Sequence, residues 1–106
     1  MTDKIVVLTT CSTAEEARKI ARHLLELRLA ACVQLSAPVQ SLYHWQGAVE
    51  ESEETLLFIK SSRPLFERLR VEILRLHSYS TPEVVALPII DGAPGYLAWM
   101  ERELAE

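Results

Sequence analysis

The chain has 106 residues, 49% apolar and 25% charged, with only three glycines and a formal net charge of −4. That much apolar side chain offsets the entropy of ordering one domain over residues 1–106, which excludes a disordered, tail-like protein. Lys and Arg are scattered, with only local pairs such as Arg18-Lys19, so no basic surface for gripping nucleic acid is expected.

No stretch approaches the ~20 apolar residues that cross a bilayer, and the first residues carry no long apolar signal core. The expectation is a cytoplasmic protein with no membrane partner. Its two cysteines, Cys11 and Cys32, are too few for a disulfide scaffold and read as free thiols.

Ile5-Val6-Val7-Leu8-Thr9 is a β-branched run of buried-strand type. Ser12 follows as an N-cap, with Glu15 three residues on to complete a capping box. Ala17, Ile20, Ala21, Leu24 and Leu27 then recur at helical spacing, which predicts a helix over 13–29. Ala31 to Leu35 reads as a second strand, which Pro38 interrupts. The chain resumes extended through Val39, Leu42, Tyr43 and Trp45, turns at Gln46-Gly47, and returns as a strand from Glu54 to Lys60.

Pro64 suits the first turn of a second helix, in which Leu65, Leu69, Ile73 and Leu76 share one face. A strand over 83–90 follows, its Pro88 placing it at an edge or a strand end. Asp91-Gly92 turns the chain, and Pro94 opens a short final helix. This order predicts an α+β fold, a ferredoxin-like βαββαβ sandwich with an extra C-terminal helix. The first and last strands are apolar at consecutive positions, so both sheet faces should be shielded from water. One short helix covers the second face thinly, and a closed oligomer is expected to cover the rest.

The three histidines lack the spacing of a preformed metal cage. His23 reads as a solvated helix residue, and His44 as a sheet-surface residue facing opposite to Tyr43 and Trp45. His77 ends the second helix and opens the irregular run His77-Ser78-Tyr79-Ser80-Thr81-Pro82-Glu83; it reads either as a C-terminal cap or as a ligand. Cys11 falls in the turn before the first helix, where the positive dipole end lowers a thiol pKa, and is a candidate reactive or metal-binding thiolate. Cys32 reads as a small core residue, and Tyr43, Trp45, Tyr96 and Trp99 as packing aromatics. Glu50, Glu51, Glu53 and Glu54 form an acidic run, either a solvated face or a patch that attracts cations, and Glu54 and Lys60 are placed to pair across a subunit boundary. No catalytic triad, phosphate-cradling glycine loop or cofactor fingerprint is present.

Several segments in order resemble the CutA family of divalent-cation tolerance proteins: Leu29-Ala30-Ala31-Cys32-Val33, Ser41-Leu42-Tyr43-His44-Trp45-Gln46-Gly47, Ile59-Lys60-Ser61, the His77–Glu83 run, Leu87-Pro88-Ile89 and Tyr96-Leu97-Ala98-Trp99. The resemblance implies a homotrimer of ferredoxin-like subunits with sheets facing inward and long hairpins pairing between neighbours. It implies a metal-binding histidine at His77. Some members also carry a cysteine where Thr9 stands here; Cys11 shares that face only if the strand stays extended. Lys60, Glu54, Tyr79 and Trp45 match positions lining inter-subunit clefts.

Three functions follow from this reading. The first is a non-enzymatic trimer of divalent-cation tolerance or homeostasis, binding copper or another divalent cation at His77 and Cys11, with His77 as the principal ligand supported by a carboxylate or thiolate from a neighbouring subunit. The second is a regulator similar to the PII signalling trimers, taking a small anionic ligand beside Lys60 and Tyr79. The third is an enzyme using His77, Tyr79 and Glu83 in acid–base work, which rests on fold analogy alone.

Overall fold

A computed structural model describes residues 2–106. Strand β1 (Lys4–Cys11) leads through α1 (Ala14–Glu26) to β2 (Cys32–Leu35), β3 (Val39–Trp45) and β4 (Ala48–Ser62). A 3-10 turn at Arg63–Leu65 opens α2 (Phe66–Leu76), followed by β5 (Val85–Pro88) and α3 (Pro94–Glu103). The sheet order is β2-β4-β1-β5 with every neighbour antiparallel, the split-βαβ arrangement of a ferredoxin-like α+β sandwich. β3 pairs with the first half of β4 and forms a hairpin arm with it.

The β1–β4 register explains how α1 and α2 are seated. Ile5, Val7, Thr9 and Cys11 lie opposite Ser61, Ile59, Leu57 and Thr55, and this row is buried against Ala17, Ile20, Leu24, Leu69 and Ile73. Leu65, Leu69 and Ile73 are buried at their helical spacing, as the sequence requires.

α1 is shorter than the 13–29 expected and is capped differently. Thr13, not Ser12, is the N-cap, its hydroxyl accepting the Glu16 N–H at 3.1 Å. The helix stops in a Schellman motif: Leu29 N–H bonds the Leu24 carbonyl and Arg28 N–H the Leu25 carbonyl, with Arg28 at φ 57°. No glycine announces that stop, so the periodicity through Leu27 overruns it. Gln46 (φ 50°) and Gly47 (φ 81°) both take left-handed conformations, the geometry of a two-residue turn between twisted strands. The strand expected over 83–90 forms only at Val85–Pro88, an edge position compatible with the missing proline N–H.

The opposite sheet face is only partly covered. Lys4 is buried there, between the carboxylates of Asp3 and of Glu101 on α3. Burial alone would lower its ammonium pKa, but these two partners hold it above the ordinary value. Met100 is wholly buried, whereas Phe58, Val85 and Leu87 on the same face stay exposed, Leu87 to 51%. The chain therefore leaves part of its second sheet face bare. No helix among the described residues is long and apolar enough to cross a membrane.

Candidate metal centre

β1 outruns β5 at one end of the sheet: β5 pairs only with Ile5–Leu8, whereas β1 continues to Cys11. The segment after α2 fills the space beside the last residues of β1. His77 leaves the helix with extended backbone, and its Nε2–H donates to the Thr10 carbonyl at 2.7 Å. Its Nδ1 accepts the Tyr79 backbone N–H at 3.1 Å. A carbonyl only accepts and an amide N–H only donates, so these partners assign the ring proton to Nε2. The side chain is wholly buried, and the cap of α2 is the His77 backbone N–H on Ile73 rather than the ring. Of the two readings open in the sequence, the geometry favours the one in which the ring is directed inward.

Cys11 is the last residue of β1, paired with Thr55, and not part of a turn. Because the strand stays extended, Cys11 shares its buried row with Thr9. Its Sγ lies 3.8 Å from His77 Nε2. The thiol departs from expectation in its acidity. Burial, and then the carboxylates of Glu16 and Glu54, push it up to about 12, which outweighs any helix-dipole lowering. The same negative field that penalises a thiolate favours a cation.

Sequence reasoning missed Glu16. At the third position of α1 a glutamate ordinarily turns back to the N-cap N–H. Here Glu16 Oε1 is buried without a hydrogen-bond partner among the described residues, 3.8 Å from His77 Nδ1. Thr9 Oγ1 is the other such buried atom among the described residues. Among the described residues, Cys11, Glu16 and His77 form a group whose ligand atoms all lie within 4.8 Å of one another. Thiol, carboxylate and imidazole are donors that suit a divalent ion, and the orphaned oxygen fits one. Binding through Nδ1 would displace only the Tyr79 N–H, whereas binding through Nε2 would move the ring proton to Nδ1 and give up both hydrogen bonds that His77 now makes.

Glu54 is separated from its acidic neighbours by burial, at 7% exposure, while Glu50, Glu51 and Glu53 stay solvated. Tyr79 OH donates to Glu54 Oε2 at 2.7 Å. Burial alone would raise this carboxyl, but hydrogen bonding from Ser41, Tyr79 and Thr10 and the nearby His77 hold it below the ordinary range. Burial, followed by the Glu54 carboxylate, raises the Tyr79 phenol, which therefore stays a donor. The His77 and Tyr79 rings pack with centroids 4.8 Å apart and planes tilted by 45°, joining the two clusters.

The other expected site residues lie elsewhere in the chain. Lys60 and Ala48, the partner of Trp45, lie on opposite sides of Glu54 along β4, each about 20 Å from it at ~3.4 Å per residue. Lys60 Nζ donates to Gln34 at 3.2 Å and sits 5.7 Å from the Tyr96 ring centroid. Within one chain, Cys11, His77, Tyr79 and Glu54 come together; Lys60 and Trp45 do not join them. His44 is exposed on β3, and His23 bonds Glu72 at 2.5 Å on the helical layer. Cys32 is half-buried at the start of β2.

Fold and site together define a ferredoxin-like subunit with a candidate cation site at the end of its first strand. Residues 5–103 match the family described as CutA1 divalent ion tolerance protein, and the chain belongs to that family. It is 46% identical over 97 residues to the divalent-cation tolerance protein CutA of Thermus thermophilus, covering 92% of this chain and 94% of that one. A solved structure of the divalent cation tolerance protein (Cut A1) from Thermus thermophilus superimposes with a TM-score of 0.94 at 43% identity, covering 96% and 99% of the two chains. The chain is also 41% identical over 93 residues to mouse Protein CutA, covering 88% of this chain but 52% of that longer protein.

Proposed function

We propose that the chain works as a non-enzymatic, cytoplasmic homotrimer of divalent-cation tolerance or homeostasis, without nucleic-acid or membrane partners. It binds copper or another divalent cation, weakly to moderately, at His77 and Cys11. The observation that carries this is the convergence of Cys11 Sγ and His77 Nε2 to 3.8 Å, with both side chains buried. Two elements far apart in sequence supply these donors, and family membership agrees with an ion as ligand.

Calorimetric titration with copper and zinc, after the solution mass is recorded, tests the reading. Saturable binding at integral stoichiometry per trimer is expected. With the Cys11 thiol pushed up to about 12, ion binding near neutral pH should displace its proton. Heats measured in buffers of different ionisation enthalpy should show about one proton released per ion, and affinity should rise with pH. Weak, non-saturating heats from a well-formed trimer would remove the metal reading.

The bare apolar face supports the trimer. Leu87→Glu places a charge on that face and should convert the assembly to monomers in sedimentation velocity, through the desolvation cost of a buried carboxylate. An unchanged mass would place the interface elsewhere. The regulator reading draws on Lys60, a cation held by a neutral amide and an aromatic ring. It needs clefts between subunits, so a thermal-shift response to nucleotides or carboxylates that survives in the Leu87→Glu monomer would sink it.

A further inference from the structure

The reading above uses two ligands, and the third side chain of the cluster has no role in it. Glu16 belongs to the first turn of α1, where the Thr13 hydroxyl already caps its N–H. A solvated carboxylate would satisfy the helix dipole equally well, as Glu15 beside it does. Instead Glu16 Oε1 is buried without a hydrogen-bond partner among the described residues, an arrangement that is costly for a carboxylate oxygen. It faces His77 Nδ1 at 3.8 Å and lies in the group whose donors are all within 4.8 Å of one another.

Geometry and charge both identify an occupant. A four-coordinate ion with metal–sulfur bonds of about 2.3 Å and metal–nitrogen or –oxygen bonds of about 2.0–2.1 Å holds its ligands about 3.3–3.6 Å apart. The two 3.8 Å separations run to different ring nitrogens, Cys11 to Nε2 and Glu16 to Nδ1; with one nitrogen as ligand the three donor atoms lie within 4.8 Å of one another, and inward shifts of about 1 Å bring them to that spacing. A thiolate, a carboxylate and a neutral imidazole carry two negative charges, which a divalent ion cancels. A monovalent ion would leave one negative charge uncompensated in a buried place. Cu⁺ also prefers soft sulfur donors and gains little from a carboxylate, whereas Zn²⁺ accepts mixed sulfur, nitrogen and oxygen sets with three protein ligands and one open position. Of the three side chains, Cys11 and His77 are wholly buried while Glu16 is 19% exposed, so Glu16 is the arm that reaches solvent.

We propose that Glu16 is a third metal ligand, and that with Cys11 and His77 it makes a four-coordinate site for a zinc-class divalent ion that discriminates against Cu⁺. This rests on the reading of His77 and Cys11 as metal-binding residues. Glu16 matches the charge of the site to a divalent cation and supplies the hard donor that Cu⁺ does not use.

The test uses Co²⁺ as a spectroscopic probe for zinc, Zn²⁺ in competition, and Cu⁺ under anaerobic conditions against a competing chelator. Wild-type protein should give the intense visible bands of tetrahedral Co²⁺ and a near-ultraviolet thiolate-to-cobalt band, both removed by Zn²⁺. Glu16→Gln should weaken Co²⁺ and Zn²⁺ binding by at least about 100-fold, beyond what loss of an outer-shell partner costs. It should leave Cu⁺ affinity unchanged or tighter. Glu15→Gln removes the same charge from the same helix turn and should change neither. Weakening of Zn²⁺ by less than about 10-fold in Glu16→Gln, or an equal loss of Cu⁺ affinity, overturns the proposal while leaving the two-ligand site intact. If Cys11→Ser and His77→Ala bind both ions as the wild type does, the two-ligand reading itself has failed, and this proposal with it.

Discussion

His77→Ala should abolish saturable ion binding and also lower the stability of the protein by about 2–5 kcal/mol. The second effect comes from the position of the ring. It supplies a donor to the Thr10 carbonyl and an acceptor to the Tyr79 N–H, and both backbone groups lose their partner in the variant. An unsatisfied buried polar group costs about 1–3 kcal/mol, and the void left by a wholly buried ring adds to that. Urea denaturation of metal-free protein separates the two effects, because the loss of hydrogen bonds shows without any ion present. A midpoint within about 0.5 kcal/mol of wild type would show that neither bond contributes to holding the end of β1.

Glu54→Ala should destabilise by about 1–3 kcal/mol near neutral pH, and the deficit should shrink in acid. At neutral pH the carboxylate accepts the Tyr79 hydroxyl, which alanine leaves without an acceptor. The pH dependence follows from the direction of its shift. The folded-state pKa is below the ordinary 4.5, so the ionised form contributes stability in full above the ordinary carboxylate range. That contribution is lost as pH falls from there through the lower folded-state value. Wild-type stability should therefore hold from about pH 7 to about pH 5 and decline below, and Glu54→Gln should flatten the part of the decline owed to this group. Parallel profiles for wild type and Glu54→Gln in that window would show that Glu54 is not the titrating group.

The same cluster shows how far the residues alone reach. His77 stands out in the sequence by its place at the end of the second helix and by the family resemblance, and Cys11 by its place before the first helix, whereas His23, His44 and Cys32 offer the same donors without such a context. Their relation was not visible, since sequence spacing does not tell where an irregular segment folds back. Glu16 was hidden for a different reason. A glutamate in a first helical turn has an ordinary local role, and nothing in the local sequence tells that this one buries an oxygen beside the end of β1. The helix-dipole argument for Cys11 failed because a local dipole was weighed without the burial and the two carboxylates that tertiary packing brings.

The sequence by itself determined the element order, the helical faces of Leu65, Leu69 and Ile73, the proline-broken step between β2 and β3, and the turn at Gln46-Gly47. These follow from local terms: side-chain periodicity, fixed proline φ and the need for positive φ in a tight turn. Tertiary structure decided where α1 ends, how far β1 and β4 run, and which polar side chains meet. Strand length is set by a partner's register, as when Thr55 pairs with Cys11, and pairing of distant residues leaves no local trace. The Cys11–Glu16–His77 group joins β1, α1 and the segment after α2, so it exists only once the sheet has closed against its helices.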